Sequence, residues 1–316
     1  MRRFTHAGRV RHVIDIPEEL AATQELYNGD RGREFIAALP ALVEEFLERW
    51  QLRPDGTPMH GVTALVLPVV RADPYAPAVL KFQPLDEESA GEPVALRLWD
   101  GDGAVRLLDH DPVTHTMLLE RLDSTRMLST RMLSTLPGTR DAVVVIAELL
   151  ARLTATPAPA GMRRLGDIAQ TMLDETPKAL EHIPDPRMRR TVADCAAAVR
   201  EVVDEPGDRL LHWDLHDENV LACDRAPWLA IDPKPLAGDP GFELWPALDN
   251  RFDADEIIWR FDAMTDILGL DRARARAWTM GRLLQNALWD IEDGRPLEPR
   301  QFEIAHRLRT HRSRQP

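Results

Sequence analysis

The chain is poor in cysteine and lysine and has no long apolar run, and these shortages exclude several classes of protein. Its 316 residues include 2 cysteines, Cys195 and Cys223, too few for a disulfide framework or a cysteine-rich metal site. No apolar run approaches the roughly 18 residues of a membrane span. The basic segment Met1–Phe4 is not followed by the apolar stretch of a secretion signal. We therefore expect a protein of the reducing cytoplasm.

Negative charge predominates over the chain as a whole. The formal net charge is −13 at pH 7, which disfavours nucleic acids and membranes as partners and suits a cationic small molecule. Apolar residues make up 44% and charged residues 29%, as in ordinary soluble globular proteins, and the length allows two lobes. Composition leaves open whether the chain is a monomer or a dimer. The 8 tryptophans are expected to fill the core, with only Trp213 and Trp245 close to the motif described next.

Three polar side chains occur in a fixed order in the second half of the chain. Residues 210–221 read L-L-H-W-D-L-H-D-E-N-V-L. Asn219 therefore lies five residues after Asp214, and Asp232 lies thirteen residues after Asn219. In phosphoryl transfer, an aspartate orients the acceptor hydroxyl and takes its proton, while an asparagine and a second aspartate hold Mg²⁺ at the nucleotide phosphates. The order of these residues therefore predicts a kinase-type active site.

The residues that flank this motif predict a hairpin. Val220 and Leu221 begin one apolar strand, residues 224–227 form a turn, and residues 228–231 return as a second strand. A hairpin of this kind carries Asn219 and Asp232 to the same end. The alternative is a chance meeting of a buried histidine, a helix-capping aspartate and a turn asparagine, which these flanks disfavour.

A kinase also needs a lysine for the α- and β-phosphates and an acidic residue to hold that lysine. Lys81 is the only lysine in the first hundred residues, and it lies within the apolar run Ala78–Phe82. The alternative is a solvent-facing lysine on a strand. The acidic partner is expected on the next helix, where Glu92 shares a face with three apolar residues, Ala95, Leu96 and Trp99. Pro93 would place Glu92 near the start of that helix, and Glu88 is the second candidate.

The residues of these motifs resemble those of a known family. The D-L-H core, with I-D-P at 231–233 where protein kinases carry D-F-G, is similar to the aminoglycoside phosphotransferase-like kinases. Residues 231–236, I-D-P-K-P-L, followed by G-D-P at 238–240, resemble their streptomycin 6-phosphotransferase and hydroxyurea phosphotransferase branch. The resemblance implies ATP-dependent transfer of phosphate to a hydroxyl of a small molecule. A streptomycin-type aminoglycoside is the first expectation, and hydroxyurea or a metabolite is the alternative.

The resemblance also assigns roles to individual residues. It implies that Asp214 is the catalytic residue, that Lys81 and Glu92 bind ATP, and that Asn219 and Asp232 bind Mg²⁺. The hinge between the lobes, whose backbone binds adenine, is expected near Glu120 and Leu122. Structural support of the catalytic loop is expected from His212 and His216. Apart from the resemblance, recognition of the acceptor is expected from acidic residues that follow the metal loop, Glu243 and Asp249.

The expected fold class is α+β, a bilobal protein-kinase-like fold with a small mixed N-lobe, an antiparallel sheet and a mainly helical C-lobe. The N-lobe is expected at 1–121 and includes the helix after Lys81. The C-lobe is expected at 122–316, with the catalytic loop at 212–219 and the metal loop at 232–240. Residues 124–133 repeat S-T-R-M-L, which indicates a local duplication just past the hinge.

Two features depart from related patterns. No G-x-G-x-x-G precedes Lys81, and residues 61–70 are the expected nucleotide-covering hairpin. Trp213 stands where the family commonly has a small residue. A nucleotide-binding pseudokinase is the alternative from another class, but Lys81, Asp214, Asn219 and Asp232 are all retained. A protein kinase is disfavoured by the missing glycine-rich loop and by the Asp-Pro in place of D-F-G.

Overall fold

The computed structural model describes residues 14–71, 76–128 and 139–311. The chain divides into two compact units. One consists of residues Met1–Asp86 and Arg106–Arg121, and the other of Glu87–Val105 and Leu122–Pro316. Within the described ranges, no helix is long and apolar enough to cross a membrane. Residues 129–133 of the S-T-R-M-L repeat lie outside the described residues.

The first unit is an antiparallel sheet with a long helix. Helix α1 spans Glu18–Arg49 and changes direction at Gly29, whose φ of 55° is a conformation that glycine adopts readily. The strands follow in the order β1–β3–β4–β6–β5, with β2 paired to β3. Their bounds are β1 Leu52–Pro54, β2 Met59–His60, β3 Leu65–Arg71, β4 Ala76–Phe82, β5 Leu107–His110 and β6 Met117–Glu120.

The core of this unit explains which face of the sheet carries Lys81. Side chains of a strand alternate between the two faces. Leu80 and Phe82 of β4 belong to the buried cluster that includes Phe46 of α1. Lys81 stands between them in sequence, so its side chain starts from the other face of the sheet, and it is nevertheless buried. Its strand neighbours are Val66 on β3 and Met117 on β6.

The second unit is mainly helical. Its helices are α2 Glu92–Trp99, α3 Thr139–Leu153, α4 Leu165–Glu181, α5 Pro186–Arg200, α6 Trp245–Asp249, α7 Ile257–Leu268, α8 Arg272–Glu292 and α9 Pro299–Thr310. Strands β7 Asp123–Met127, β9 Val220–Ala222 and β10 Leu229–Ala230 form a three-stranded antiparallel sheet. Strands β8 Arg209–Leu211 and β11 Leu236–Gly238 form a separate antiparallel pair.

The predicted hairpin around the motif is confirmed. Leu229 lies opposite Leu221 and Ala230 opposite Val220, and the Cys223 N–H donates to the Ala226 carbonyl across the turn at 3.2 Å. The predicted helix over residues 92–99 is also observed, with Glu92 as its first residue. Strand β5 begins only at Leu107, after Val105, whose N–H donates to the Ala230 carbonyl at 2.9 Å.

The helix after Lys81 groups with the second unit and not with the N-lobe in which it was expected. The N-lobe was expected to include it, but residues Glu87–Val105 group with the second unit. Trp99 gives the physical reason, since its indole N–H donates to the Leu153 carbonyl at 3.0 Å and its ring stacks on His212 at 6.2 Å. These contacts attach α2 to α3 and to the catalytic loop.

Candidate active site

His212 organises the loop that joins β8 to β9. Its Nε2 donates to the Ile231 carbonyl at 3.0 Å, and its Nδ1 accepts the Asp214 N–H at 3.3 Å. These partners assign the neutral Nε2–H tautomer. Burial lowers the pKa of His212 to about 3. The ring is therefore uncharged at neutral pH, and it joins the catalytic loop to the end of β10.

Asn219 closes the same loop from its other end. Its side-chain N–H donates to the Asp214 carbonyl at 2.9 Å, and the Ile231 N–H donates to the Asn219 carbonyl, also at 2.9 Å. The side-chain amide nitrogen is thus held by the loop, which fixes the direction of the amide oxygen. The hairpin β9–β10 brings Asn219 next to the strand that leads to Asp232.

The Asp214 side chain remains partly accessible, with 36% of its surface exposed. Burial of its remaining surface raises the pKa of Asp214, and the Asp232 carboxylate acts in the same direction, while the charges of Arg282 and Lys234 oppose that rise. His216 Nε2 lies 4.0 Å from an Asp214 carboxylate oxygen. The loop therefore presents a carboxylate that solvent can reach, with the His216 imidazole beside it.

Asp232 follows β10 in a left-handed backbone conformation, with φ of 56°. Lys234 lies 3.2 Å from its carboxylate, and the Lys234 N–H donates to the His212 carbonyl at 2.9 Å. The two segments that carry the predicted Mg²⁺ ligands are thus joined by backbone hydrogen bonds at two points. Carboxylate and amide oxygens are hard ligands suited to Mg²⁺, with the nucleotide phosphates supplying further oxygens.

Glu243 corrects one expectation, since it does not face an acceptor. Its side chain is fully buried, with 0% exposed, and its carboxylate accepts the N–H groups of His212 and Trp213. Trp213 has a φ of 67°, which is unfavourable for a non-glycine residue, so these hydrogen bonds hold a strained turn. Burial raises the pKa of Glu243 to about 7. Glu243 supports the catalytic loop from behind.

Asp249, the other acidic residue expected to bind the acceptor, is at the end of α6. Arg300 at the start of α9 lies 3.1 Å from its carboxylate. Burial raises the pKa of Asp249, and the charge of Arg300 opposes that rise. The structure therefore ties Asp249 to another helix of the same unit.

The residues predicted to bind ATP lie in two different units. Glu92 is fully buried at the first turn of α2, and its N–H donates to the Ser89 carbonyl at 2.9 Å. Glu88 is half-buried, and its charge acts on Arg282 of α8. Glu120 accepts the Arg106 N–H at 2.8 Å from the end of β6, and Leu122 follows at the division between the units.

Two arginines near the loop, Arg251 and Arg282, were not predicted from the sequence. Arg251 donates to Asp217 at 2.8 Å and to the Leu128 carbonyl at 2.8 Å, which anchors the short 3₁₀ turn Asp217–Asn219. Arg282 of α8 is 91% buried among aromatic rings, and Trp289 lies close to Trp213. The expectation that only Trp213 and Trp245 lie near the site was therefore wrong. The signal in the sequence was an arginine, Arg282, among the mostly apolar residues that α8 buries.

A loop that places an aspartate, an asparagine and a second aspartate between short antiparallel strands, with a buried lysine on a separate antiparallel sheet, defines a phosphotransferase of kinase-like fold. A sequence profile described as aminoglycoside/hydroxyurea antibiotic resistance kinase matches residues 49–294. The chain belongs to this family. It is an enzyme that acts as a small-molecule kinase, with a hydroxyl group as acceptor, and kinases of this family use ATP.

Relatives cover nearly the whole chain. A hydroxyurea phosphotransferase from Kitasatospora aureofaciens is 59% identical over 95% of this chain and 87% of its own length. A streptomycin 6-kinase from Streptomyces glaucescens is 54% identical over 95% and 98%, and one from Streptomyces griseus is 50% identical over 93% and 97%.

Solved structures confirm the predicted fold class. The aminoglycoside phosphotransferase APH(4)-Ia superimposes with a TM-score of 0.59 at 14% identity, covering 87% of this chain and 100% of that one. A choline/ethanolamine kinase family protein from Mesorhizobium loti gives a TM-score of 0.57 at 20% identity, covering 89% and 95%.

Proposed function

We propose that this kinase transfers the γ-phosphate of ATP to a hydroxyl of a streptomycin-type aminoglycoside, with Asp214 as the catalytic residue. The observation that carries the proposal is the loop geometry around Asp214. Backbone and side-chain hydrogen bonds from His212 and Asn219 fix the residue, while its carboxylate stays exposed to an incoming acceptor. The identity to two streptomycin 6-kinases, 54% and 50%, supports the choice of acceptor.

In the proposed reaction, the acceptor hydroxyl oxygen attacks the γ-phosphorus of ATP. The new bond joins that oxygen to phosphorus, the bond from phosphorus to the β,γ-bridging oxygen breaks, and ADP leaves. Asp214 orients the hydroxyl and receives its proton, a contribution that is typically about 10²- to 10⁴-fold in rate. Lys81 is the proposed ligand of the α- and β-phosphates, and Glu92 is its proposed partner. Glu88 is less suited to that role because its charge acts on Arg282.

Asn219 and Asp232 are the proposed protein ligands of Mg²⁺. They fit this cation because both supply hard oxygen donors. The Asn219 amide nitrogen is engaged by the Asp214 carbonyl, which leaves the amide oxygen as the group that can bind a metal. A bound Mg²⁺ would neutralise charge on the phosphates. The roles of Glu120 and Leu122 in binding adenine through the backbone belong to the same proposal.

Hydroxyurea is the second candidate acceptor, and one observation favours it. Over the aligned residues, the hydroxyurea phosphotransferase from Kitasatospora aureofaciens is 59% identical to this chain, compared with 54% and 50% for the two streptomycin kinases. The loss of Glu243 as an acidic contact also removes one reason to expect a cationic acceptor.

The acceptor is tested by measuring ADP release from MgATP with streptomycin, other aminoglycosides and hydroxyurea, each over a range of concentrations. Mass spectrometry of the product then shows whether one phosphate has been added. We expect release that saturates with streptomycin and a product heavier by one phosphoryl group. Saturation with hydroxyurea alone would select the second candidate.

Each compound is also tested with the Asp214→Asn and Asp224→Asn variants. Asp224 is a matched control because it is an exposed aspartate in the turn of the neighbouring β9–β10 hairpin. Stimulated release should be lost in Asp214→Asn and kept in Asp224→Asn. MgATP binding without phosphorylation of any compound would contradict both candidate acceptors.

A further inference from the structure

Two tryptophans and two arginines form a compact group beside the catalytic loop. The Arg163 guanidinium carbon lies 4.7 Å from the centre of the Trp213 ring, and that of Arg282 lies 4.9 Å from it. Trp289 of α8 has its ring 6.1 Å from Trp213 and 5.6 Å from the Arg282 guanidinium. We refer to these four residues as the tryptophan–arginine cluster. All four belong to the helical unit that carries Asp214.

The inner side of the cluster is rich in hydrogen-bond donors. Three buried nitrogens have no hydrogen-bond acceptor among the residues that the structure describes: Arg163 Nη1, Trp213 Nε1 and Arg282 Nε. Leaving a buried polar group without a partner is unfavourable, because the group has lost its hydrogen bonds to water. In native structures an ordered water, an ion or a bound molecule can supply the missing partner of such a group. Donors of this kind require oxygen or other electron-rich atoms.

The outer side of the cluster is accessible. Trp289 is 36% exposed, which is unusual for a tryptophan because its large apolar ring is normally well buried. Trp213 immediately precedes Asp214 in the chain, and Glu243 fixes its backbone by accepting its N–H. An exposed aromatic ring is therefore packed against the residue next to the catalytic carboxylate. Sugar and cyclitol rings bind such surfaces by stacking.

Electrostatics restrict what can bind next to this surface. Arg163 and Arg282 place two guanidinium charges on one indole ring, which cation–π attraction stabilises. Arg282 also interacts electrostatically with the side chains of Asp214, Glu243 and Glu88. A cationic group of a ligand would be repelled from the cluster, whereas a hydroxyl or carbonyl oxygen would be attracted.

We propose that the tryptophan–arginine cluster is the acceptor-binding surface of this kinase, and that it binds an uncharged, oxygen-bearing part of the acceptor. The inference rests on the proposed function, because it takes Asp214 as the residue that receives the hydroxyl. Trp289 stacks on the acceptor, Arg163 attracts its oxygen atoms, and Trp213 with Arg282 forms the base of the surface. Cationic groups of an aminoglycoside then point away from the cluster.

The test compares steady-state kinetics of the Trp289→Leu and Arg163→Met variants with those of the wild type. Both side chains are partly exposed, so neither variant removes a core residue. Trp259→Leu is the matched control, since Trp259 also stacks on an arginine, Arg140, at 4.5 Å but lies on α7 outside the cluster. KM is measured for streptomycin, for hydroxyurea and for MgATP, and the melting temperature is measured for each variant.

With an aminoglycoside acceptor, we expect both cluster variants to raise the acceptor KM by about tenfold, the change expected from one lost stacking or polar contact. With hydroxyurea, which has no ring, only Arg163→Met should raise it. In both cases the KM of the two cluster variants for MgATP should stay within about twofold of the wild-type value. All KM values of the Trp259→Leu control should stay within the same range.

An acceptor KM unchanged in both cluster variants overturns the inference while leaving the proposed function intact. An equal rise in the KM for MgATP also overturns it, because the effect would then not belong to acceptor binding. A wild-type enzyme that binds MgATP but phosphorylates neither compound contradicts the proposed function itself, and with it this inference.

Discussion

At the scale of single residues, the loop depends on buried groups whose charge is suppressed. His212 is neutral because burial lowers its pKa to about 3, and Glu243 resists ionisation because burial raises its pKa to about 7. Neither residue was predicted to behave in this way from its place in the motif. The family resemblance predicted His212 as a support of the loop, but the burial of Glu243 arises from the turn Pro240–Glu243 packing against α8.

Glu243 makes stability depend on pH. The folded pKa of about 7 lies above the usual value of 4.5, so the folded state keeps its proton while the unfolded state ionises. The unfolded state therefore binds fewer protons between these values, and the free energy of unfolding falls as pH rises through this window. Glu243→Gln removes the titration. We expect the unfolding free energy of the wild type, relative to Glu243→Gln, to fall by on the order of 3 kcal/mol between pH 4.5 and 8.

Urea denaturation of both proteins across this range measures the difference. Glu148→Gln, on the exposed side of α3, serves as the control. The unfolding free energy of the wild type relative to Glu148→Gln should not show the fall expected for Glu243→Gln. A constant difference between the wild type and Glu243→Gln would show that Glu243 titrates as an ordinary glutamate.

At the scale of elements, the loop at 212–219 and the segment that carries Asp232 are held by short strands and turns more than by helices. The hairpin β9–β10, the pair β8–β11 and the turn Asp217–Asn219 each fix one part of the loop. The apolar runs and the turn residues at 224–227 were sufficient to predict the hairpin. The pairing of β8 with β11 was not predictable, because three-residue strands have no periodic pattern to recognise.

The ion pair between Asp217 and Arg251 should stabilise the turn that carries Asn219. The Asp217 side chain is 11% exposed and that of Arg251 is 16%, so removal of one partner leaves a largely buried charge. We expect Asp217→Asn to lower the free energy of unfolding by about 2 kcal/mol. A double-mutant cycle with Arg251→Gln isolates the interaction between the two side chains.

The exposed pair Arg33–Glu25, with side chains 55% and 62% exposed, provides the comparison. Its coupling energy should be below about 1 kcal/mol because water screens it. Equal coupling energies for the two pairs would mean that the Asp217–Arg251 contact does not stabilise the turn beyond a surface ion pair.

At the scale of the whole molecule, the division into two compact units and the kinase-like class follow from features that the sequence contains. An apolar strand with one lysine, a motif of three polar residues and a change to helical periodicity predicted the class. The unit to which α2 belongs could not be predicted from the sequence. It depends on the contacts of Trp99 with two residues that are distant in the chain, Leu153 and His212. For the same reason the sequence did not reveal the tryptophan–arginine cluster, whose members come from three separate segments.

Net charge is a property of the whole molecule that gave an incomplete indication of the acceptor. The value of −13 suits a cationic compound in bulk solution, yet two arginines lie beside Trp213. Overall charge governs the approach of a ligand, whereas the groups at the site determine its orientation. The two observations agree if a cationic acceptor enters with an uncharged hydroxyl-bearing part towards Asp214.

The central claim is that Asp214 positions and deprotonates the acceptor hydroxyl in an otherwise intact kinase. The most direct measurement is single-turnover transfer of the labelled γ-phosphate of ATP to the acceptor, by the wild type and by Asp214→Asn, with MgATP affinity measured on the same samples. We predict a rate reduced by about 10²- to 10⁴-fold at unchanged MgATP affinity. A near-normal transfer rate in Asp214→Asn would contradict the account.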